Sequence, residues 1–226
     1  MEIIITGATG TIGSAILRHC LTNPSITSIV ALTRRPLPIT HPKLSTITID
    51  NWITWDSGVL SRILSADAAI WAIGTTDANR EINYDYPLAF QESFLEARKA
   101  SPHAAKRFRY IRVSGAFTEP DQDRSLWFYA GPRKLHGLAE ARTMELAEKY
   151  NSVCQTFVVK PGGVSKKGDW GMLIGECLLG DGMAIRDETL GAFVADLAVN
   201  GKEEEGIVLN REMVEKGRML LQEKAN

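Results

Sequence analysis

The segment Gly7-Ala8-Thr9-Gly10-Thr11-Ile12-Gly13 constrains this chain more than any other. Ahead of it, residues 2–6 form a β-branched run closed by Gly7, too short for a helix, which predicts a buried strand. Behind it, apolar residues at 12, 16 and 17 and a stop at Asn23-Pro24 predict a helix over 12–21. A strand that turns on glycines straight into a helix aims unpaired amides, carrying partial positive charge, at the turn. Such a turn suits a pyrophosphate. One glycine makes the tight bend, one admits close approach of backbone to phosphate, and one lets helix pack on strand. The spacing is G-x-x-G-x-x-G rather than the commoner G-x-G-x-x-G, so its weight comes from its place between strand and helix. Gly7, Thr9, Gly10, Thr11, Ile12 and Gly13 are the candidate phosphate contacts. A purely structural turn is the plain alternative.

The alternation continues along the chain. Strands are predicted over 28–33, 45–49, 68–73, 108–113 and 153–159, and helices over 58–64, 87–99 and 135–149. Helix 87–99 has an apolar stripe of Leu88, Phe90, Phe94 and Leu95. Strands and helices in turn, with right-handed returns, give an α/β fold, a doubly wound parallel sheet of the Rossmann type covered on both faces. The expected strand order is 3-2-1-4-5-6, with a ligand where the order reverses. Beyond Gly163 the pattern turns helical, at about 170–179, 187–199 and 211–222. That region, about 164–226, is expected as a small helical cap within a single domain spanning 1–226. The charged run 202–205 reads as a solvated loop. Arg107, Arg109 and Arg112 are awkward on a strand buried on both faces. Either its ends are exposed or the arginines have partners.

Composition narrows the class of function. With 226 residues, a net charge of −1 and no block of basic residues, the chain offers no nucleic-acid surface. No apolar stretch is long enough to span a bilayer, and Met1 leads directly into the first strand rather than into a basic, apolar leader. Cys20, Cys154 and Cys177 have no metal-type spacing and read as free thiols in a reducing compartment. A cytoplasmic protein without a metal is the expectation, with a small molecule as its partner rather than nucleic acid or membrane.

Three further stretches would line the cleft. Thr33-Arg34-Arg35 ends the second strand, where an acid would take a ribose 2′-hydroxyl and an arginine a 2′-phosphate. No acid is present and paired guanidiniums suit phosphate, so NADP(H) is favoured over NAD(H); two solvated loop arginines are the alternative. Gly74-Thr75-Thr76 ends strand four with small residues that let backbone approach a cofactor. Asp50 ends strand three, either meeting the adenine or forming a turn before Asn51.

These and other motifs occur in a recognisable order: ITGATGTIGS, LTRR, WAIGTT, INYDY, RVSG, HGLAEAR and VVKPGGV, across roughly residues 1–200. Together they make the sequence resemble the atypical short-chain dehydrogenase/reductases, in particular the compact NmrA-like/epimerase-like NAD(P)-binding proteins common in fungi. The resemblance implies a Rossmann fold, NADP(H) as cofactor, and often the tailoring of small metabolites in secondary metabolism. It adds Pro161, Gly162, Gly163 and Val164 to the cofactor wall, and it implies homodimer formation through the helix pair 84–100 and 134–149.

The same resemblance exposes a departure. Short-chain reductases carry a Ser after strand five and a Tyr-x-x-x-Lys on the next helix. The Tyr handles the substrate proton, the Lys lowers its pKa and binds ribose, and the Ser bonds the carbonyl. Ser114 matches the serine, or is a turn residue before Gly115. His136 stands at the lysine position and Pro132 at the tyrosine position, so the standard pair is missing. Tyr129 and Lys134 lie five apart, which turns the side chain about 140° off line against about 40° for four. From the preceding loop, Tyr129 could still swing inward. His136 could act as general acid/base, as a ribose ligand, or be a half-buried histidine. Phe117, Trp127, Phe128 and Tyr129 either line a site for a flat ring or pack their loop down.

The reading that follows is an NADP(H)-dependent oxidoreductase on a small, aromatic, quinone-like or polyketide-like metabolite, with Ser114, Tyr129 and His136 as catalytic candidates. A non-redox isomerase or cyclase and a non-catalytic dinucleotide sensor share the same scaffold and remain alternatives.

Overall fold

In the computed structural model, which describes residues 1–166 and 182–223, a seven-stranded parallel sheet lies between two layers of helices. The chain runs β1 (Glu2–Thr6), α1 (Thr11–Thr22), β2 (Ser28–Thr33), β3 (Leu44–Thr48), α2 (Ser57–Ile63), β4 (Ala68–Trp71) and α3 (Tyr86–Lys99). It continues with β5 (Phe108–Val113), α4 (Ala130–Lys149), β6 (Cys154–Lys160), β7 (Gly163–Ser165), β8 (Ala184–Arg186), α5 (Asp187–Asn200), β9 (Gly206–Leu209) and α6 (Asn210–Glu223). The sheet order is β3-β2-β1-β4-β5-β6-β9, so the expected 3-2-1-4-5-6 holds and gains a seventh strand at the β6 edge. The predicted helix at 170–179 and Cys177 lie outside the described residues.

Strand periodicity sorts the core into two halves. Ile3 and Ile5 face one way with Ile29, Ile70 and Phe157, against Ile16 and Leu17 of α1 and Leu190, Phe193 and Leu197 of α5. Ile4 faces the other way with Trp71, Phe108 and Tyr110, against Leu60 of α2, Phe90 and Phe94 of α3, and Leu146 of α4. The described part of the carboxy-terminal region is helical over Asp187–Asn200 and Asn210–Glu223, near the expected spans, but it also carries strands and does not stand apart as a cap. It is tied into the sandwich: α5 lies against α1, α6 packs on α5, and β9 pairs with β6. β9 was not foreseen because its four residues carry a weak pattern, behind the charged run read as a loop. That run is engaged, since Glu205 pairs with Arg107 at 2.6 Å and Lys202 with Glu212 at 2.5 Å.

All three arginines, Arg107 just ahead of β5 and Arg109 and Arg112 within it, have partners. Arg107 also donates to the Cys154 carbonyl at 2.7 Å. Arg109 donates to the Ala198 and Val199 carbonyls at 3.1 and 3.0 Å, where the last turn of α5 leaves carbonyls unpaired. Arg112, buried to 3% exposure, donates to Ala139 O, Thr143 Oγ1 and Asn83 O at 2.8, 2.6 and 2.7 Å. It thereby ties the sheet to α4 and to a π-helical turn, Glu81–Asp85, that leads into α3. Such turns often sit at functional sites, and this one faces the cleft.

Candidate functional site

The carboxyl ends of the strands open onto a cleft that begins at the glycine loop. Gly7 has φ +66°, and a Cβ there would lie 2.4 Å from the Ala72 carbonyl oxygen. A Cβ on Gly13 would lie 2.1 Å from Gly7 O, so only glycine lets α1 start this close to β1. Gly10 is the N-cap of α1 without a side-chain cap, and the first turn has no acidic residue. The opening amides of Thr11, Ile12 and Gly13 are thus left for an anion.

One arm of the cleft is a cavity of about 390 Å³ lined by Gly7, Thr9, Thr33, Arg34, Arg35 and Trp52. A second, of about 190 Å³, shares Gly7, Thr9, Arg34 and Trp52 with it and adds Gly10, Gly74, Thr75 and Tyr86. Trp52 is 3% exposed, stacks on Tyr86 at a centroid distance of 6.2 Å, and meets Trp55 and Trp71 edge-on. Asp50 is exposed and lines neither cavity. The wall expected from Asp50 is instead Trp52, two residues further on. The uncapped helix start, the glycine cradle and the two guanidiniums fit a dinucleotide's phosphates and ribose.

A third cavity, of about 300 Å³, joins the second at Thr75. Ser114, Tyr129 and His136, expected from the sequence to act together, all line it, with Phe117, Pro132, Pro161, Gly162 and Gly163. Val164 lies in β7 outside these cavities. Trp127 is 96% exposed and Phe128 60%; neither lines the cavity nor packs the loop down. Of the four loop aromatics, only Phe117 and Tyr129 form its wall. Tyr129 is the sole non-glycine with positive φ among the described residues, at φ 53° and ψ 38°, as N-cap of α4. Lys134 is turned away from it, donating to Gln122 O at 2.6 Å.

Thr75 is held from several sides. Asn83, buried in the π-turn, accepts from Thr75 N at 2.8 Å and donates to Thr75 Oγ1 at 3.0 Å. Thr75 Oγ1 donates to Asp77 at 2.5 Å. His136 Nε2 lies 3.0 Å from Thr75 O, which makes Nε2 the protonated nitrogen and leaves Nδ1 as an acceptor. Burial pushes the His136 pKa below the ordinary imidazole value, and Arg112 pushes the same way, against Thr75 O, Glu140 and Asp77. The imidazole is therefore neutral at neutral pH and does not replace a lysine's charge.

The sequence reading missed a buried charged pair beneath Ser114. Glu140 accepts from Ser114 Oγ at 2.5 Å, from Thr118 Oγ1 at 2.9 Å and from Lys160 Nζ at 2.8 Å. Both residues lie in motifs already singled out, HGLAEAR and VVKPGGV. Two signals pointed to them: Glu140 follows His136 by four residues on one helix face, and Lys160 is a charge at the end of a buried strand.

Solved structures that superpose on the chain include an oxidoreductase and a uronate dehydrogenase. The oxidoreductase ylbE from Lactococcus lactis superposes with TM-score 0.65 at 14% identity, covering 96% of each chain. Uronate dehydrogenase from Agrobacterium tumefaciens gives 0.63 at 15%, covering 92% of this chain and 75% of that one. MoeE5, solved with UDP-glucuronic acid and NAD, gives 0.64 at 15%, covering 98% and 83%. The likeness is one of fold: the doubly wound Rossmann fold that these proteins share.

No family model matches the chain. Among curated proteins, "Protein fmp52, mitochondrial" of Aspergillus niger is 38% identical over 169 residues, 73% of this chain and 67% of that protein. "Protein FMP52, mitochondrial" of Candida albicans is 36% identical over 132 residues, 51% of this chain and 58% of that protein. The chain belongs to the FMP52 family. Its match spans just under six-tenths of the Candida relative and 34% of the Eremothecium gossypii one. The cytoplasmic expectation is overturned by these relatives, which are named mitochondrial. No described helix is long and apolar enough to cross a membrane.

Proposed function

We propose that the chain is an NADP(H)-dependent oxidoreductase acting on a small, apolar, ring-bearing metabolite, and that it works in the mitochondrion as the relatives' names say of them. The observation that carries this is one cleft running from paired arginines, past an uncapped helix start, to a cavity holding Ser114 and His136. The dinucleotide would rest its diphosphate on the amides of Gly10–Gly13, and Arg34 with Arg35 would take a 2′-phosphate. Gly74, Thr75, Pro161, Gly162 and Gly163 would border its other end. When bound, it supplies or accepts a hydride.

The chain's own residues do the rest. In the short-chain reductase pattern Pro132 stands at the place of the proton-handling tyrosine and has no hydroxyl, so the substrate proton would pass to or from Tyr129 on the cavity wall. Ser114 orients the substrate oxygen, with Glu140 and Lys160 fixing its rotamer. His136, neutral and bonded to Thr75 O, holds the Thr75 loop in place. Phe117 and Tyr129 cover an apolar ring and keep water away.

A non-redox isomerase on this scaffold is favoured by the same Pro132, and it would convert substrate without change in the reduced-nicotinamide absorbance. The test of the cofactor reading is calorimetric titration of wild type and an Arg34→Ala/Arg35→Ala variant. Wild type binds NADPH at least about tenfold tighter than NADH, as charge-assisted phosphate bonds predict; the variant loses that preference. Equal affinities in wild type would overturn the assignment.

A further inference from the structure

Of the side chains that line the third cavity, Arg133 alone carries a full charge at neutral pH, because His136 is held neutral. The other charges around the cavity are matched to each other. Lys160 pairs with Glu140 and Arg124 with Glu119, each at 2.8 Å, and both carboxylates are buried. Asp77 lies outside the cavity lining and accepts from Thr75 Oγ1 and Asn79 N. Among the described residues, no carboxylate lies within ion-pair distance of Arg133.

The guanidinium is held in place by backbone. Nε donates to Phe117 O at 2.7 Å and one terminal nitrogen to Phe128 O at 3.3 Å, so carbonyls at two separate loop positions fix it. Two of a guanidinium's five donors are thereby spent, and three stay uncommitted. Gly115, Phe117 and Thr118 also line the cavity, and their amides meet no acceptor among the described residues. Ala116, Pro132 and Pro161 make much of the remaining wall apolar. An unmatched cation beside unpaired donors is what a carboxylate satisfies, since it only accepts and can take two guanidinium bonds in parallel.

From this we infer that the metabolite held in the cavity carries a carboxylate on its apolar body, and that Arg133 is the residue that selects it. The inference rests on the proposed function for calling the cavity a substrate site, and it narrows that substrate to ring-bearing acids. The carboxylate is the handle and not the reacting group, so Ser114 and Tyr129 stay available to the carbon–oxygen group that changes oxidation state. Arg133 is half-buried, and water screens part of its charge. The expected selectivity is therefore that of a partly exposed ion pair with good geometry rather than of a buried one.

The experiment measures dissociation constants of naphthalene-2-carboxylate and naphthalene-2-carboxamide, which share a shape and differ in charge, for the NADPH-loaded and the free protein. Wild type is expected to bind the carboxylate about fivefold tighter or more, the upper range for an exposed pair. Arg133→Gln brings the two ligands together, while its unchanged affinity for the carboxamide shows the cavity intact. Arg133→Lys, which keeps the charge, keeps a preference. The Arg34→Ala/Arg35→Ala variant also keeps it, which separates the cavity from the dinucleotide's phosphate site as the source. Equal binding of the two ligands by wild type, or no binding of either, overturns the inference. So does a preference that survives Arg133→Gln or is lost with Arg34 and Arg35. NADPH titration of the same samples reports separately on the cofactor reading. Affinity for NADPH without a preference for the carboxylate sinks this inference alone; the preference without affinity for NADPH sinks the cofactor reading alone.

Discussion

His136 and Tyr129 both sit at the cavity wall at a cost the rest of the fold offsets. Burial holds His136 neutral in the folded protein, so the unfolded chain binds its proton more readily. As pH falls through and below about 6.5, the unfolded state gains that proton first and stability declines; above it the contribution is fully present. Urea-unfolding free energies are expected to fall on acidification more in wild type than in His136→Gln, the difference vanishing above neutrality. A parallel pair of curves would remove His136 from the account. Tyr129 adopts a left-handed backbone that costs an ordinary residue about 1 kcal/mol or more. Tyr129→Asn should raise stability by about 1 kcal/mol, a few degrees in Tm, while weakening affinity for ring ligands. Calorimetry and ligand titration of the variant check both halves.

Between elements, the cavity depends on two close approaches. Gly137 lets α4 meet the loop after β5: a Cβ there would lie 2.1 Å from Glu119 O. Arg112 is the buried tie between β5, α4 and the π-turn. Arg112→Met leaves two carbonyls and a hydroxyl without their donor and should cost about 3 kcal/mol or more. Arg107→Met, at a half-exposed pair with Glu205, should cost about 1 kcal/mol or less. Comparable losses in urea unfolding of the two variants would contradict this division. The contrast shows what a sequence can reveal at this scale. The awkwardness of arginines on a buried strand was legible, because burial follows from an apolar neighbourhood. Their partners were not, since Ala139, Asn83 and Ala198 supply backbone oxygens, which every residue has and no side-chain pattern marks.

At the scale of the whole molecule, the doubly wound sheet was legible from Gly7–Gly13 outward, because each strand and helix there has its own period and its own stop. β9 was not: Gly206–Leu209 is too short to show alternation, with Ile207 and Leu209 exposed at the sheet edge. The cavity was legible in part. Ser114 and His136 announce themselves beside glycines and on a helix, whereas Glu140 meets Lys160 only once α4 and β6 have packed. The three cavities meet end to end, so occupancy of the glycine cradle should be felt at Thr75 and beyond. The most direct measurement is an amide ¹H–¹⁵N spectrum of the folded protein titrated with NADPH. The account predicts that the amides of Gly7 and of Gly10 to Gly13 move most, with Arg34, Trp52 and Thr75 following at the same dissociation constant. A folded protein whose cradle amides stay still, with NADPH unbound or felt only elsewhere, would contradict it.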